Sequence, residues 1–225
     1  MLVSILIPAF NEEDTIETVV EAVKKLDFDK EIVVVDDGST DRTAEIASRL
    51  GGITFIRHPG NMGRGSAVMT AIKHSTGDIL VTQDADMEQS PSDIPRLVRP
   101  VIEGRALVVY GSRFARGVSG TGNTAFRLFG NRVFAFLGKV LFRQNLTDVY
   151  TGSKCYSKKI FETITLTRKG FEQEIEILAK LSRNRIQIHE IPITYRFRSF
   201  GESKIRFTDA IIGIFVMFKY FIGHG

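Results

Sequence analysis

The chain has 225 residues, enough for one domain with a substantial core. Its hydrophobic share of 43% and mean hydropathy of +0.01 exclude both a disordered chain and a polytopic membrane protein. The net charge of +4 conceals two opposed halves: residues 1–95 carry 8 Lys/Arg against 17 Asp/Glu, and residues 96–206 carry 21 against 8. An acidic half suits a metal, and a basic half suits phosphates, nucleic acid or an anionic membrane, unless both are simply solvated faces.

The apolar run Val3–Ile7 opens the chain without a basic segment before it and reads as a buried strand rather than a signal peptide. Ile16, Val19, Val20, Val23 and Leu26 recur at helical spacing, with Asn11 and Asp14 placed as a capping pair. The run Ile32–Val35 predicts a parallel strand covered on both faces. Ser39 and Thr40 are positioned to cap a helix through Leu50, which Gly51 would end. A short strand at Ile53–Ile56, a helix at Arg64–His74, a strand at Asp78–Thr82, a helix at Ile94–Ile102 and a strand at Ala106–Gly111 complete a βαβα series. The expected fold is therefore α/β, with a doubly wound, mostly parallel sheet whose ligands lie at the carboxyl ends of its strands.

The second half is less regular. Thr124–Phe142 is apolar and aromatic, but Arg127, Arg132 and Lys139 argue against a membrane span. A helix is expected at Phe171–Leu181 and a strand at Ile186–Phe197, broken by Pro192. Phe207–Ile222 is too short to span a bilayer and is interrupted by Asp209 and Lys219. It reads either as an amphipathic segment at a membrane or on a membrane subunit, or as a C-terminal core helix. The single Cys155 permits no internal disulfide, which makes a reducing compartment the default.

The polar clusters fall after the strands. If residues 84–88 continue extended, Asp84, Asp86 and Glu88 point to one side. Their hard oxygens would then suit Mg2+ or Mn2+, with diphosphate oxygens completing the shell. Asp36 and Asp37 can bind a nucleotide's ribose or base, or build the turn at Asp36-Asp37-Gly38-Ser39. Gly60–Gly65 opens a helix and is either a phosphate cradle or a plain turn; its glycine spacing matches neither a P-loop nor a dinucleotide fingerprint. Arg113, Arg127, Arg198 and Lys204 are the cations placed to meet phosphates, the last two on a polar segment suited to close as a lid. Nucleic-acid binding is not favoured, because the aromatics sit in apolar stretches and no recognition motif is present.

The segments Ile7-Pro8-Ala9-Phe10-Asn11-Glu12-Glu13, Val34-Val35-Asp36-Asp37-Gly38-Ser39-Thr40-Asp41, Asn61-Met62-Gly63-Arg64-Gly65 and Gln83-Asp84-Ala85-Asp86-Met87-Glu88 carry a resemblance. Gly111-Ser112-Arg113, Gly170-Phe171-Glu172 and Arg198-Ser199-Phe200-Gly201-Glu202-Ser203-Lys204 extend it along nearly the whole chain. The sequence resembles the family-2 glycosyltransferases of GT-A fold, and within them the dolichol-phosphate mannose synthases. That resemblance implies that Pro8, Phe10, Glu12 and Asp37 line a nucleotide pocket, together with Asp84. It implies that Asp84, Asp86 and Glu88 serve a divalent metal and the diphosphate, and that Asp86, Arg113, Arg127, Arg198 and Lys204 act on donor diphosphate and acceptor phosphate. Phe10 stands where the family usually has Tyr, and Glu88 where Gln is common.

The implied activity is inverting transfer of a hexose, mannose favoured, from a nucleotide sugar, GDP-mannose favoured, to dolichyl or polyprenyl phosphate. The alternatives are a UDP-glucose-dependent enzyme, a relative acting on a saccharide hydroxyl, and a nucleotide-binding interaction domain. The expected layout is a catalytic domain over 1–206 and an amphipathic membrane or docking segment over 207–225. The expected location is peripheral, on the cytoplasmic face of a membrane.

Overall fold

Strand-forming runs separated by helical periodicities fold here into one seven-stranded sheet. The structure, a computed structural model, describes residues 1–115, 124–196 and 207–223, without the side chains of 124–129 and 207–210. In chain order the elements begin β1 (Val3–Ala9), α1 (Ile16–Lys24), β2 (Lys30–Asp36), α2 (Thr43–Arg49), β3 (Thr54–Arg57) and α3 (Arg64–His74). They continue with β4 (Ile79–Thr82), α4 (Ile94–Ile102), β5 (Val108–Ser112), α5 (Thr124–Phe142) and β6 (Lys154–Ser157). The last are α6 (Ile160–Thr163), α7 (Gln173–Arg183), β7 (Ile188–Pro192) and α8 (Phe207–Phe221).

The sheet order is β3-β2-β1-β4-β6-β5-β7, parallel except for β6, which runs against both neighbours. Side chains alternate between the two faces. Ile5, Ile7, Val34 and Val81 join α1 and α4 in one core, while Leu6, Val33, Val35 and Leu80 pack under α3. On the latter side of β5 and β6, Val108, Tyr110 and Tyr156 join α5, α7 and α8 in a further core. Burial on both faces accounts for the uninterrupted apolar runs of β1 and β2.

The chain moves from β1 outward to β2 and β3, then returns to β4 on β1's other side, so the winding reverses between β1 and β4. A doubly wound sheet opens its binding crevice at such a reversal. The register widens it: β1 pairs with β2 through Ala9–Asp36, but with β4 only through Leu6–Thr82. Pro8, which has no N–H, stands past the last β1–β4 pair.

Several local expectations need correction. Asn11 and Asp14 do not cap α1, whose cap position is Thr15. Ser39 and Thr40 do not cap α2, which starts later; Asp41 Oδ1 accepts the Thr43 N–H at 2.9 Å instead. The strand expected at Ile186–Phe197 is confined to β7, with Tyr195 forming an isolated bridge to Gln89. Strand β6 went unanticipated, because Lys154 sits in it.

Candidate active site

The loops after β1 and β2 hold each other. Asn11 adopts a left-handed conformation (φ 51°), which Asn tolerates through its short polar side chain. Its N–H donates to Ser39 Oγ at 2.9 Å, and its Oδ1 accepts the Thr40 N–H at 2.9 Å. The Glu12 N–H donates to Thr43 Oγ1 at 2.7 Å. Phe10 and Glu12 are left half-buried at the mouth of the crevice, with Pro8 buried behind them.

Asp37 organises the glycine-rich loop. Its Oδ1 accepts the Met62 N–H at 3.0 Å and lies 2.7 Å from His58 Nδ1; its Oδ2 accepts the Gly63 N–H at 2.8 Å. Two N–H groups of Gly60–Gly65 that could have cradled a phosphate are thus aimed at the chain's own carboxylate. Of the two readings of that loop, the structure supports the turn. Gly38 is required there, since a Cβ would come within 2.3 Å of the Gly60 carbonyl carbon. Asp36, fully buried, accepts from the Ser39 N–H and pairs with Arg57 at 3.2 Å.

Beyond β4, Gln83 is buried and pins the next turn through Nε2 bonds to the carbonyls of Asp84 and Gln89. Asp84 Oδ1 accepts from Arg64 Nε at 3.2 Å and from the Arg64 terminal nitrogen at 2.8 Å. The other Arg64 nitrogen reaches Glu174 Oε1 at 2.6 Å, and Lys154 Nζ donates to Glu174 Oε2. Two carboxylates and two cations therefore form a neutral, largely buried cluster between α3, β4, β6 and α7. Burial alone would raise Asp84, but Arg64, Arg113 and Lys154 hold its carboxyl below the usual range. Burial lowers Arg64, yet Asp84 and Glu174 outweigh it and leave the guanidinium more basic than usual. Burial dominates at Lys154 and lowers it despite Glu174. Asp84 also presses on Gly152, where a Cβ would stand 1.7 Å from Oδ2.

The segment after Asp84 does not continue extended. Ala85 and Asp86 form a turn, Met87 is left-handed (φ 59°), and Asp86 Oδ1 accepts the Glu88 N–H at 3.0 Å. Glu88 Oε2 accepts from Tyr195 OH at 3.2 Å. Among the described residues no three Asp, Glu, His or Cys side chains converge as a ready metal cage. The segment is thus a turn and not the extended run expected, and Arg64 engages Asp84 while Tyr195 engages Glu88. Asp84 and Asp86 still suit Mg2+ or Mn2+, since one or two carboxylates plus water and phosphate oxygens make a full shell.

Arg113 follows β5 on the basic side. It forks Asp148 at 2.7 and 2.8 Å, donates its own N–H to the same carboxylate, and lies over the Phe114 and Tyr195 rings. It stands near Glu88, but its guanidinium already serves an internal carboxylate. Arg127 lies in the first turn of α5 with its side chain outside the described residues, as do Arg198 and Lys204 altogether. Glu172 accepts the Gly170 N–H at 3.3 Å and makes no side-chain cap bond to α7.

Sequence reasoning passed over Arg64, Asp148, Lys154 and Glu174 as site residues. Arg64 and Glu174 lie inside or beside quoted motifs, Glu174 in the first turn of α7, while Lys154 lies in none of them. Their pairing spans up to 110 positions, which no local pattern exposes.

Acidic turns thus follow β1, β2 and β4 at the reversal of an α/β sheet, with Arg113 following β5. The chain belongs to glycosyl transferase family 2, whose model matches residues 4–165. It is a glycosyltransferase with the GT-A architecture. It is 31% identical over 215 residues to a dolichol-phosphate mannosyltransferase of Pyrococcus furiosus, covering 92% of this chain but spanning only 60% of that relative. It is 29% identical over 239 residues to a UDP-N-acetylglucosamine–dolichyl-phosphate N-acetylglucosaminyltransferase of Methanococcus voltae, covering 97% of this chain and 94% of the relative. Its fold matches glucosyl-3-phosphoglycerate synthase of Mycobacterium tuberculosis, solved with Mg2+ and uridine diphosphate, at 23% identity and TM-score 0.75 over 97% of this chain and 79% of the other. The same protein has been crystallised with Mn2+ and UDP-glucose.

Proposed function

We propose that this chain transfers a hexose, mannose by preference, from a nucleotide sugar, GDP-mannose by preference, to dolichyl or polyprenyl phosphate. The observation that carries this reading is that two relatives, differing in sugar and covering over nine-tenths of this chain, are both named for dolichol phosphate. Pro8, Phe10, Glu12 and Asp37 line the nucleotide side, Asp37 acting through the loop it braces. Asp84 and Asp86 hold Mg2+ or Mn2+, with Glu88 beside them. A bound divalent ion there supplies a Lewis acid for the donor diphosphate.

The reaction is a single in-line displacement. An oxygen of the acceptor phosphate bonds to the anomeric carbon, the bond from that carbon to the diphosphate oxygen breaks, and the nucleoside diphosphate leaves with the electron pair. The configuration inverts. A phosphate monoester with its second pKa at ~6 is already largely dianionic at neutral pH, so no general base is needed. Arg113, Arg127, Arg198 and Lys204 stabilise the two phosphate groups as charge moves. Residues 1–206 are the catalytic domain; residues 207–225 dock it on the cytoplasmic face of a membrane or on a small membrane subunit. No helix among the described residues is long and apolar enough to cross a bilayer.

A UDP-sugar donor is the second reading, favoured by the Methanococcus voltae relative, whose name specifies UDP-N-acetylglucosamine. Purified protein incubated with dolichyl phosphate, Mn2+ and, in turn, labelled GDP-mannose, UDP-glucose and UDP-N-acetylglucosamine tests the proposal. Labelled lipid is expected with GDP-mannose above the others. Transfer from a UDP-sugar alone installs the second reading, and no transfer from any donor overturns both.

A further inference from the structure

Tyr195 touches two parts of the site that the sheet sets apart. It lies three residues past β7, and β6 and β5 separate β7 from β4 in the sheet. Strand β6 opposes both β4 and β5, and β7 parallels β5, so β4, β5 and β7 share one direction. Their carboxyl ends lie along the same rim. From the end of β7 the chain runs back along that rim and bonds to the turn after β4. The Arg196 N–H donates to the Glu88 carbonyl at 2.8 Å, and the Thr194 N–H donates to Asp93 Oδ2 at 2.6 Å. Between them Tyr195 forms its bridge to Gln89. The backbone is thus fixed on either side of this residue.

Its side chain serves two neighbours. The hydroxyl donates to Glu88 Oε2 at 3.2 Å, and the ring lies under Arg113, whose Cζ stands 5.6 Å from the ring centroid. The Phe114 ring lies 5.2 Å from the same Cζ, while Asp148 takes Nε and one terminal nitrogen of the guanidinium. Arg113 is therefore held at one edge by a carboxylate and packed against two rings. The packing needs only the ring of Tyr195, and the bond to Glu88 needs only its hydroxyl, so substitution can separate the two.

We propose that Tyr195 is a positioning residue for both halves of the transfer site. Its hydroxyl orients Glu88 beside the divalent ion, and its ring fixes Arg113 for the acceptor phosphate. Tyr195 acts through these two residues and not on the reacting atoms. The inference rests on the lipid-phosphate reading for the roles of Glu88 and Arg113, but it is measured by binding, without turnover.

The test titrates Mn2+ into the full chain with GDP or UDP present, following free Mn2+ by electron paramagnetic resonance. A second titration, by calorimetry, adds farnesyl phosphate as a short polyprenyl phosphate. Tyr195→Phe should raise the Mn2+ dissociation constant roughly tenfold and leave that of farnesyl phosphate unchanged. Tyr195→Leu should weaken Mn2+ by the same factor and also weaken farnesyl phosphate roughly threefold. The ring kept by Tyr195→Phe thus rescues acceptor binding but not metal binding, a split that general loss of structure would not produce. The melting temperature of Tyr195→Phe should stay near wild type, and that variant decides the metal arm by itself. Unchanged Mn2+ binding in Tyr195→Phe, or equal losses on both arms in it, overturns the proposal and leaves the lipid-phosphate reading standing. So does a Tyr195→Leu variant that binds farnesyl phosphate as tightly as Tyr195→Phe. A wild-type chain that binds neither probe overturns both readings.

Discussion

Asp84 and Asp86 are separated by one residue yet serve different neighbours, and substitutions separate their roles. Asp86→Ala should cut metal-dependent transfer by about 100-fold or more while leaving the melting temperature near wild type. Near-normal transfer in that variant would remove Asp86 from the site. Glu174→Ala is expected to act differently, because it strands Lys154 as a buried cation and leaves Arg64 with Asp84 alone; about 3–5 kcal/mol of stability should be lost in denaturant unfolding. A loss below about 1 kcal/mol would mean that water already screens the cluster. The acidic turn was legible in the sequence because its residues are adjacent. Its partners were not, since Arg64, Lys154 and Glu174 meet only through the packing of α3, β6 and α7.

At the scale of elements, α7 is the brace of the second half. Glu176, buried on that helix, accepts from the Thr167 and Arg168 N–H groups, from Lys180 and from Tyr220 OH on α8. Burial would raise its carboxyl, but these donors, Lys180 foremost, hold it below its ordinary value near 4.5. A carboxylate lowered by folding contributes stability that is complete above its unfolded pKa and is lost as pH falls through the folded one. Wild-type stability should therefore decline below pH ~4.5, and Glu176→Gln should flatten part of that decline while costing about 1–3 kcal/mol at neutral pH. An unchanged acid limb in thermal melts across that range would contradict the assignment.

The elements of the first half, from β1 to β5, were readable because apolar runs and helical periods report burial directly; their ends were blurred where side chains such as Asp41 took over capping. Strand β6 escaped because Lys154, normally a surface residue, is buried there by Glu174 and the Tyr110 ring rather than by apolar neighbours.

Across the whole molecule, the charge asymmetry seen in the sequence takes a spatial form. The acidic turns gather where the winding reverses between β1 and β4, while Arg113 stands at the β5 end and Arg132, Lys139 and Arg143 are exposed on and just after α5. That arrangement suits a donor diphosphate on one side and an acceptor phosphate, presented from a membrane, on the other. It also dispenses with a catalytic base, which distinguishes this reading from transfer to a hydroxyl. The most direct test supplies the enzyme with labelled donor sugar, Mn2+ and either dolichyl phosphate or the unphosphorylated dolichol, and measures label recovered in the lipid. Transfer to dolichyl phosphate and none to dolichol is the expected result. Equal transfer to the alcohol, or label appearing only on a saccharide acceptor, would contradict the account.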